Sequence, residues 1–236
     1  MKIGMMIIFA VHAASAAAQH AGHEPQGAAP SQAVGMNAKW TEADVDVAQW
    51  ARRFEDPGRD VIVHRQAVVK ALQLQPGQAV ADVGAGTGAY LAALSRAVGP
   101  RGKVTGVDIS PAFVAHMAAR ARAEGLANVT TQTGTETSTG LAPASQDVIL
   151  SVNTFHHFAD PQAMLADLHR ALKVGGQLAI VDFDRDAPAA TDHERGMATL
   201  DKAGYIRTIE AAGFRLLEDV TTAGLTQNFL LRFERR

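Results

Sequence analysis

The sequence predicts an α/β protein built on a doubly wound, mostly parallel sheet that closes with a C-terminal antiparallel hairpin. Three observations predict it. Short β-rich apolar runs alternate with helix-period segments from residue 79 to residue 181. A glycine-rich turn, Gly84-Ala85-Gly86-Thr87-Gly88, stands where the first run gives way to a helix. The last two runs, Phe214 to Val220 and Phe229 to Phe233, are joined only by Thr221 to Gln227, too short for a helical crossover.

The N-terminus reads as a targeting segment. Lys2 supplies a positive start, Ile3 to Val11 is nearly all apolar, and Ala14-Ser15-Ala16 and Ala16-Ala17-Ala18 offer the A-x-A cleavage pattern. Residues 1–18 are therefore expected to be a signal peptide, too short to span a membrane, and the chain to be exported, to the periplasm in a bacterium. The competing reading starts the protein at Met36 and keeps it in the cytoplasm. Residues 19–40 are rich in Ala, Gly, Pro, Gln and His and read as a linker. His20 and His23 alone do not make a metal site, and no metal is expected. The domain is expected over 41–236, long enough for one sizeable core.

Within the domain, Thr41 is a candidate cap for a first helix carrying Val47 and Trp50. A second helix places Val61, Val68, Val69 and Leu72 on one face and stops before Pro76-Gly77. Strands follow at Ala79 to Val83, Val104 to Val107, Val129 to Thr133, Val148 to Val152 and Gln177 to Val181. Between them lie helices from Tyr90 to Val98, from Ser110-Pro111 with Phe113, Val114, Met117 and Ala121, and from Asp160-Pro161 with Met164, Leu165, Leu168 and Leu172. Both Ser-Pro and Asp-Pro pair a cap with proline at the first helical position. Gly175-Gly176 is read as ending the last of these helices. A final helix with Ile206 and Ile209 stops at Gly213.

Composition narrows the function classes. A formal net charge of -2 and the absence of a dense Lys/Arg run argue against a nucleic-acid partner. With no cysteine, thiolate metal sites, disulfides and cysteine nucleophiles are excluded. The glycine turn is more informative. Glycines there allow positive φ and close approach of backbone to a ligand, and the following helix presents free N–H groups. Asp108, with Ile109 after it, ends the next strand, where a carboxylate can accept hydrogen bonds from a ribose diol. The glycines fall as G-x-G-x-G, with Ala89 at the last position of the dinucleotide fingerprint.

Asp82-Val83-Gly84-Ala85-Gly86-Thr87-Gly88 and Val104-Thr105-Gly106-Val107-Asp108 resemble the first two motifs of class I S-adenosylmethionine-dependent methyltransferases. The similarity continues through Gln146-Asp147-Val148-Ile149-Leu150, Asn153 to Phe158, and Leu172-Lys173-Val174-Gly175-Gly176-Gln177-Leu178. The resemblance implies a Rossmann-like, seven-stranded fold with an N-terminal helical lid. It also implies S-adenosylmethionine as cofactor and methyl transfer to an acceptor, read as a small molecule. It places Gly84, Ala85, Gly86 and Gly88 along the amino-acid end of the cofactor with Asp82 nearby, and Asp108 and Ile109 at the ribose. Asn153 falls beside the methionine portion. Where relatives often carry Gly-Asp after the third strand, this chain has Gly134-Thr135-Glu136, so adenine contact passes to Thr135 and Glu136.

Methyl transfer needs alignment, and a general base only where the acceptor must lose a proton. His156, His157 and Asp182 lie at the carboxyl edge of the sheet and are the catalytic candidates. Arg59 and Arg65 are candidate partners for a carboxylate, against ordinary solvated charges. Two other classes remain in view. A nicotinamide-dependent oxidoreductase would need the full G-x-G-x-x-G loop and a Tyr-x-x-x-Lys pair, and neither Tyr90 nor Tyr205 has Lys four residues later. An exported, non-enzymatic binding module on the same fold would be expected to carry a degenerate loop.

Overall fold

Helices cover both faces of the central strands, and this is why those strands are apolar at successive positions. The computed structural model describes residues 1, 35, 37–42, 44–198, 200–221 and 224–236. The signal-peptide reading beyond Met1, most of the linker, His20, His23 and Met36 lie outside the described residues. The strands are β1 (Ala79–Val83), β2 (Lys103–Asp108), β3 (Val129–Thr133), β4 (Gln146–Val152), β5 (Leu172–Phe183), β6 (Phe214–Val220) and β7 (Asn228–Arg235). The helices are α1 (Ala38–Thr41), α2 (Val47–Phe54), α3 (Asp60–Val63), α4 (Arg65–Ala71), α5 (Leu91–Val98), α6 (Pro111–Ala123), α7 (Pro161–Ala171), α8 (Asp192–Met197) and α9 (Lys202–Ala211).

The seven strands lie in the order β3-β2-β1-β4-β5-β7-β6. The first five run parallel, and β7 enters antiparallel between β5 and β6. Alternate residues feed two cores. Ile149, Leu178, Ile180 and Leu231 pack with Leu165, Leu168 and Tyr205 of α7 and α9. Val148, Leu150, Ala179 and Val181 pack with Val68, Leu91 and Leu94 on the other face.

Several expectations are corrected. Thr41 is not the cap of a long helix: its hydroxyl donates to the Ala38 carbonyl, closing the single turn α1. Asp46 caps α2 instead, its Oδ1 accepting from the Gln49 N–H at 2.9 Å. The second helix is broken at His64 into α3 and α4. Gly175-Gly176 does not end α7. The helix stops at Ala171, and Leu172 already pairs with Gln146, so the glycines lie inside β5 near an irregularity in its register with β4. The helix α8 was unforeseen, although its capping box, Thr191 with Glu194, stands in the sequence.

Candidate active site

The parallel register brings one end of five strands together. Val83 pairs with Val107, Asp108 with Thr133, and Val152 with Val181, so the residues that follow these pairs share the carboxyl edge. Sheet order changes direction between β1 and β4, the place where ligands enter open α/β sheets. A cavity opens there with about 1120 Å³ of empty space, part of it continuous with solvent. Of the residues singled out in the sequence, Asp82, Gly84, Ala85, Gly86, Asp108, Ile109, Thr135, Glu136, Asn153 and His157 all line it.

The glycine turn has two kinds of glycine. Gly84 (φ +73°) crosses so close to Thr154 that a Cβ would lie 2.1 Å from its methyl carbon, while the Thr154 hydroxyl donates to the Gly84 carbonyl at 3.2 Å. Gly86 (φ +53°) faces the cavity under Phe54. Gly88 is a correction: it does not line the cavity. A Cβ there would stand 2.8 Å from Leu91 and 3.0 Å from Met117, so this glycine serves helix packing.

Asp108 holds the turn in shape. Its Oδ2 accepts from the Gly86 N–H at 2.8 Å and its Oδ1 from the Ser110 N–H at 2.9 Å. Burial pushes its carboxyl above the ordinary range, against the opposing pull of these backbone donors. Asp82, only 3% exposed, has no hydrogen-bond partner among the described residues. Burial, and then the charge of Asp108, push its carboxyl up to about 7. Asn153 is similarly unsatisfied. It sits at positive φ (+47°), and neither the amide nitrogen nor the amide oxygen of its side chain, both buried, finds a partner.

A roof of N-terminal residues covers this cradle. Trp40 packs edge-on against Trp50 at 4.5 Å, and lies 5.8 Å from Phe54, 5.9 Å from Phe113 and 6.2 Å from His157. Asn37 donates from Nδ2 to the His157 carbonyl at 2.8 Å and to Glu136 Oε1 at 3.3 Å. Asn37 and Trp40 precede the boundary read at residue 41, yet both are buried in the cavity wall. A latch ties α2 to the glycine turn: Glu55 Oε1 accepts from Thr87 Oγ1 and from Arg120 Nη1, each at 2.7 Å, and Arg120 also donates to the Thr87 carbonyl. Arg59 lines the cavity and donates to the Phe54 carbonyl at 2.8 Å. Arg65 is spent on the Ala89 carbonyl, and the Tyr90 hydroxyl donates to the Val61 carbonyl.

The catalytic candidates separate. His157, at the end of the 3-10 turn Phe155–His157, lines the cavity with its Nδ1 buried and unpartnered. Burial, then the neighbouring His156, lowers its pKa to about 4, so its ring is neutral at physiological pH. His156 and Asp182 are corrections. Neither lines the cavity, and they are 4% and 0% exposed. His156 Nδ1 lies 2.7 Å from Asp182 Oδ1, and Asp182 also accepts the backbone N–H of Phe183 at 2.8 Å and of His156 at 3.3 Å. Their polar groups are consumed by each other, one layer behind the wall.

At the third-strand end, Thr135 and Glu136 line the rim and are exposed. The Thr135 hydroxyl accepts from the Ser138 N–H at 3.0 Å, within its own turn. Among the described residues no group of three His, Asp or Glu side chains is placed to hold a metal ion. No helix among them is long and apolar enough to cross a membrane.

This strand order, with a glycine cradle at β1 and an acid at the end of β2, is the arrangement of class I S-adenosylmethionine-dependent methyltransferase domains, and the comparisons point the same way. Residues 80–176 match the family model of a methyltransferase domain. The crystal structure of a SAM-dependent methyltransferase from Aquifex aeolicus superposes with a TM-score of 0.72 at 27% identity, covering 80% of this chain and 98% of that one. A demethylmenaquinone methyltransferase of Tropheryma whipplei is 36% identical over 119 residues, 50% of this chain and 47% of the relative. An uncharacterized 37.1 kDa protein of a Streptomyces fradiae transposon is 34% identical over 124 residues, 52% and 35% respectively. The chain thus spans less than half the length of these two curated relatives.

Proposed function

We propose that the chain transfers the methyl group of S-adenosylmethionine to a small, largely apolar acceptor entering beneath the aromatic roof. One observation carries this reading. Asp82, whose carboxyl has no hydrogen-bond partner among the described residues, and Asn153, both of whose amide atoms are buried without one, line a single cavity. Buried polar groups left so cost roughly 1–3 kcal/mol each, a penalty that a bound ligand removes. Two carboxylates on one wall suit a cationic ligand and oppose a pyrophosphate, which sets the nicotinamide dinucleotide reading behind.

The residues present fit the cofactor. Asp82 and Asn153 would hold its ammonium, Gly84 and Gly86 admit it against bare backbone, and Asp108 would accept its ribose hydroxyls. Arg59 would meet its carboxylate. When bound, S-adenosylmethionine supplies a methyl group activated by a cationic sulfur, and alignment with dry surroundings is the remaining requirement. Trp40, Phe54 and Phe113 exclude water from the wall opposite the glycine turn. His157, uncharged and with a free Nδ1, would accept a proton from the acceptor or orient it. Export to the periplasm belongs to the same proposal. It rests on the order of charge, apolar run and small residues over 1–18, and cell fractionation checks it.

Calorimetric titration with S-adenosylmethionine tests the cofactor. Asp108 binds both ligand and turn, so Asp108→Ala is expected to weaken binding by about 100-fold, as the loss of two charge-assisted bonds implies. A folded parent chain that does not bind would favour the non-enzymatic module. Acceptor screening begins with demethylmenaquinone, for which the Tropheryma relative is named, and turnover on any apolar ring compound supports the acceptor class.

A further inference from the structure

Thr87 stands between Gly86 and Gly88, both at positive φ (+53° and +78°), in a turn whose backbone is freer than most. What fixes it comes from far along the chain. Glu55, at the end of α2, accepts the Thr87 hydroxyl and Arg120 Nη1 on one oxygen, each at 2.7 Å. Arg120, on α6, donates also to the Thr87 carbonyl at 3.2 Å and, through Nε, to Glu124 at 2.8 Å. Thr87 lines the cavity, whereas Glu55 and Arg120 do not, and their side chains are about a quarter exposed. The pair therefore stands behind the wall and acts on the cavity only through what it holds.

It holds two things at once. One is the glycine turn, through Thr87. The other is the roof, because Glu55 follows Phe54, whose ring lies 3.3 Å from where a Cβ on Gly86 would stand and 5.4 Å from the ring of Trp50. We infer that Glu55 is a positioning residue for the cofactor: it locks Phe54 down over Gly86, and a bound cofactor leaves only when this latch lets go. This rests on the S-adenosylmethionine reading. Turn and roof are then ordered by the same bonds, so a loosened latch adds their ordering to the cost of binding and shortens the life of the complex.

The chain has two tryptophans, Trp40 and Trp50, and both lie in the roof, so intrinsic fluorescence follows it directly. Two measurements test the inference on the full chain and on Glu55→Ala, Glu55→Gln and Glu124→Gln. One is quenching of this fluorescence by acrylamide in the free protein, and the other is the release rate of S-adenosylhomocysteine in stopped flow. Glu55→Ala should increase the quenching and speed release by about tenfold, the loss of a charge-assisted bond. Glu55→Gln keeps an acceptor oxygen without the charge. It should speed release by about threefold, and it remains readable if the alanine variant fails to fold. Glu124→Gln breaks only the Arg120 pair within α6 and should leave both readings at parent values. A merely structural Glu55 would lower the melting midpoint while the folded variants released the ligand at the parent rate. That outcome, unchanged quenching, or release sped as much by Glu124→Gln as by Glu55→Ala, overturns the inference and leaves the cofactor reading in place. A folded parent that binds no S-adenosylhomocysteine overturns both.

Discussion

Asp82 and Asp182 stand in equivalent places, each near the carboxyl end of a buried parallel strand, and each is almost wholly removed from solvent. Their surroundings differ completely. Asp182 is answered by an imidazole and two backbone N–H groups. Asp82 is answered by nothing among the described residues, and its carboxyl is pushed up to about 7. The contrast repeats one turn away, where His156 is partnered and His157 is not. A buried polar group whose bonds are all made inside the protein is structural. One left wanting, on the wall of a cavity, is arranged for a ligand.

If this division is right, the two sides fail differently when cut. Asp182→Ala has the largest expected effect, because it strands the His156 ring and two backbone donors in the core. Removing one partner of such a buried pair costs roughly 3–5 kcal/mol, a large share of the roughly 5–15 kcal/mol that holds a domain folded. Thermal unfolding should show a lower midpoint, with Asp182→Asn losing less because its shape is kept. A variant melting with the parent would erase the distinction between the two aspartates.

His157→Ala acts on the other side of the division. It should leave the melting midpoint nearly unchanged and lower kcat on the true acceptor by about 10- to 100-fold, at or below the usual range for a general base because a group of such low basicity pulls weakly. With its pKa near 4, His157 contributes no limb to the kcat profile between pH 6 and 8. A limb in that range that disappears in the variant would mean that the bound acceptor restores its basicity.

The sequence carried the strands and the glycine turn well, because alternating elements and proline-marked caps are local signals. β1, β3 and β6 fall on the bounds read from their residues. The failures share one cause, which is dependence on partners distant in the chain. Nothing local distinguishes Asp182 from Asp82, or His156 from His157. The distinction arises when Asp182 of β5 meets the turn after β4. Asn37 and Trp40 fall in a stretch, residues 19–40, that reads as a linker from its Ala, Gly, Pro, Gln and His content, although two tryptophans within eleven residues are a sign of packing. Gly88 looked like its two neighbours, and only contact with Leu91 and Met117 shows it to be a packing glycine.

Asp82→Asn is the smallest and most discriminating cut. In the unfolded chain this carboxyl ionises in the ordinary range near 3.8, whereas the folded protein holds its proton up to about 7. Between those values the folded state binds more protons than the unfolded state, so stability falls as pH rises through the window and levels off above it. The variant lacks that loss. Its melting midpoint should match the parent near pH 4 and exceed it by several degrees at pH 8, the reverse of what Asp182→Ala does. Binding should move the opposite way. An ammonium beside the ionised carboxylate stabilises the charge, so S-adenosylmethionine should bind the variant about tenfold more weakly, the loss of one charge-assisted bond. Binding by the parent should also release protons near pH 6.5, seen as a dependence of the calorimetric heat on buffer ionisation. A variant that gains no stability at pH 8 and binds as the parent does would show that Asp82 is satisfied after all, and that its likeness to Asp182 goes deeper than position.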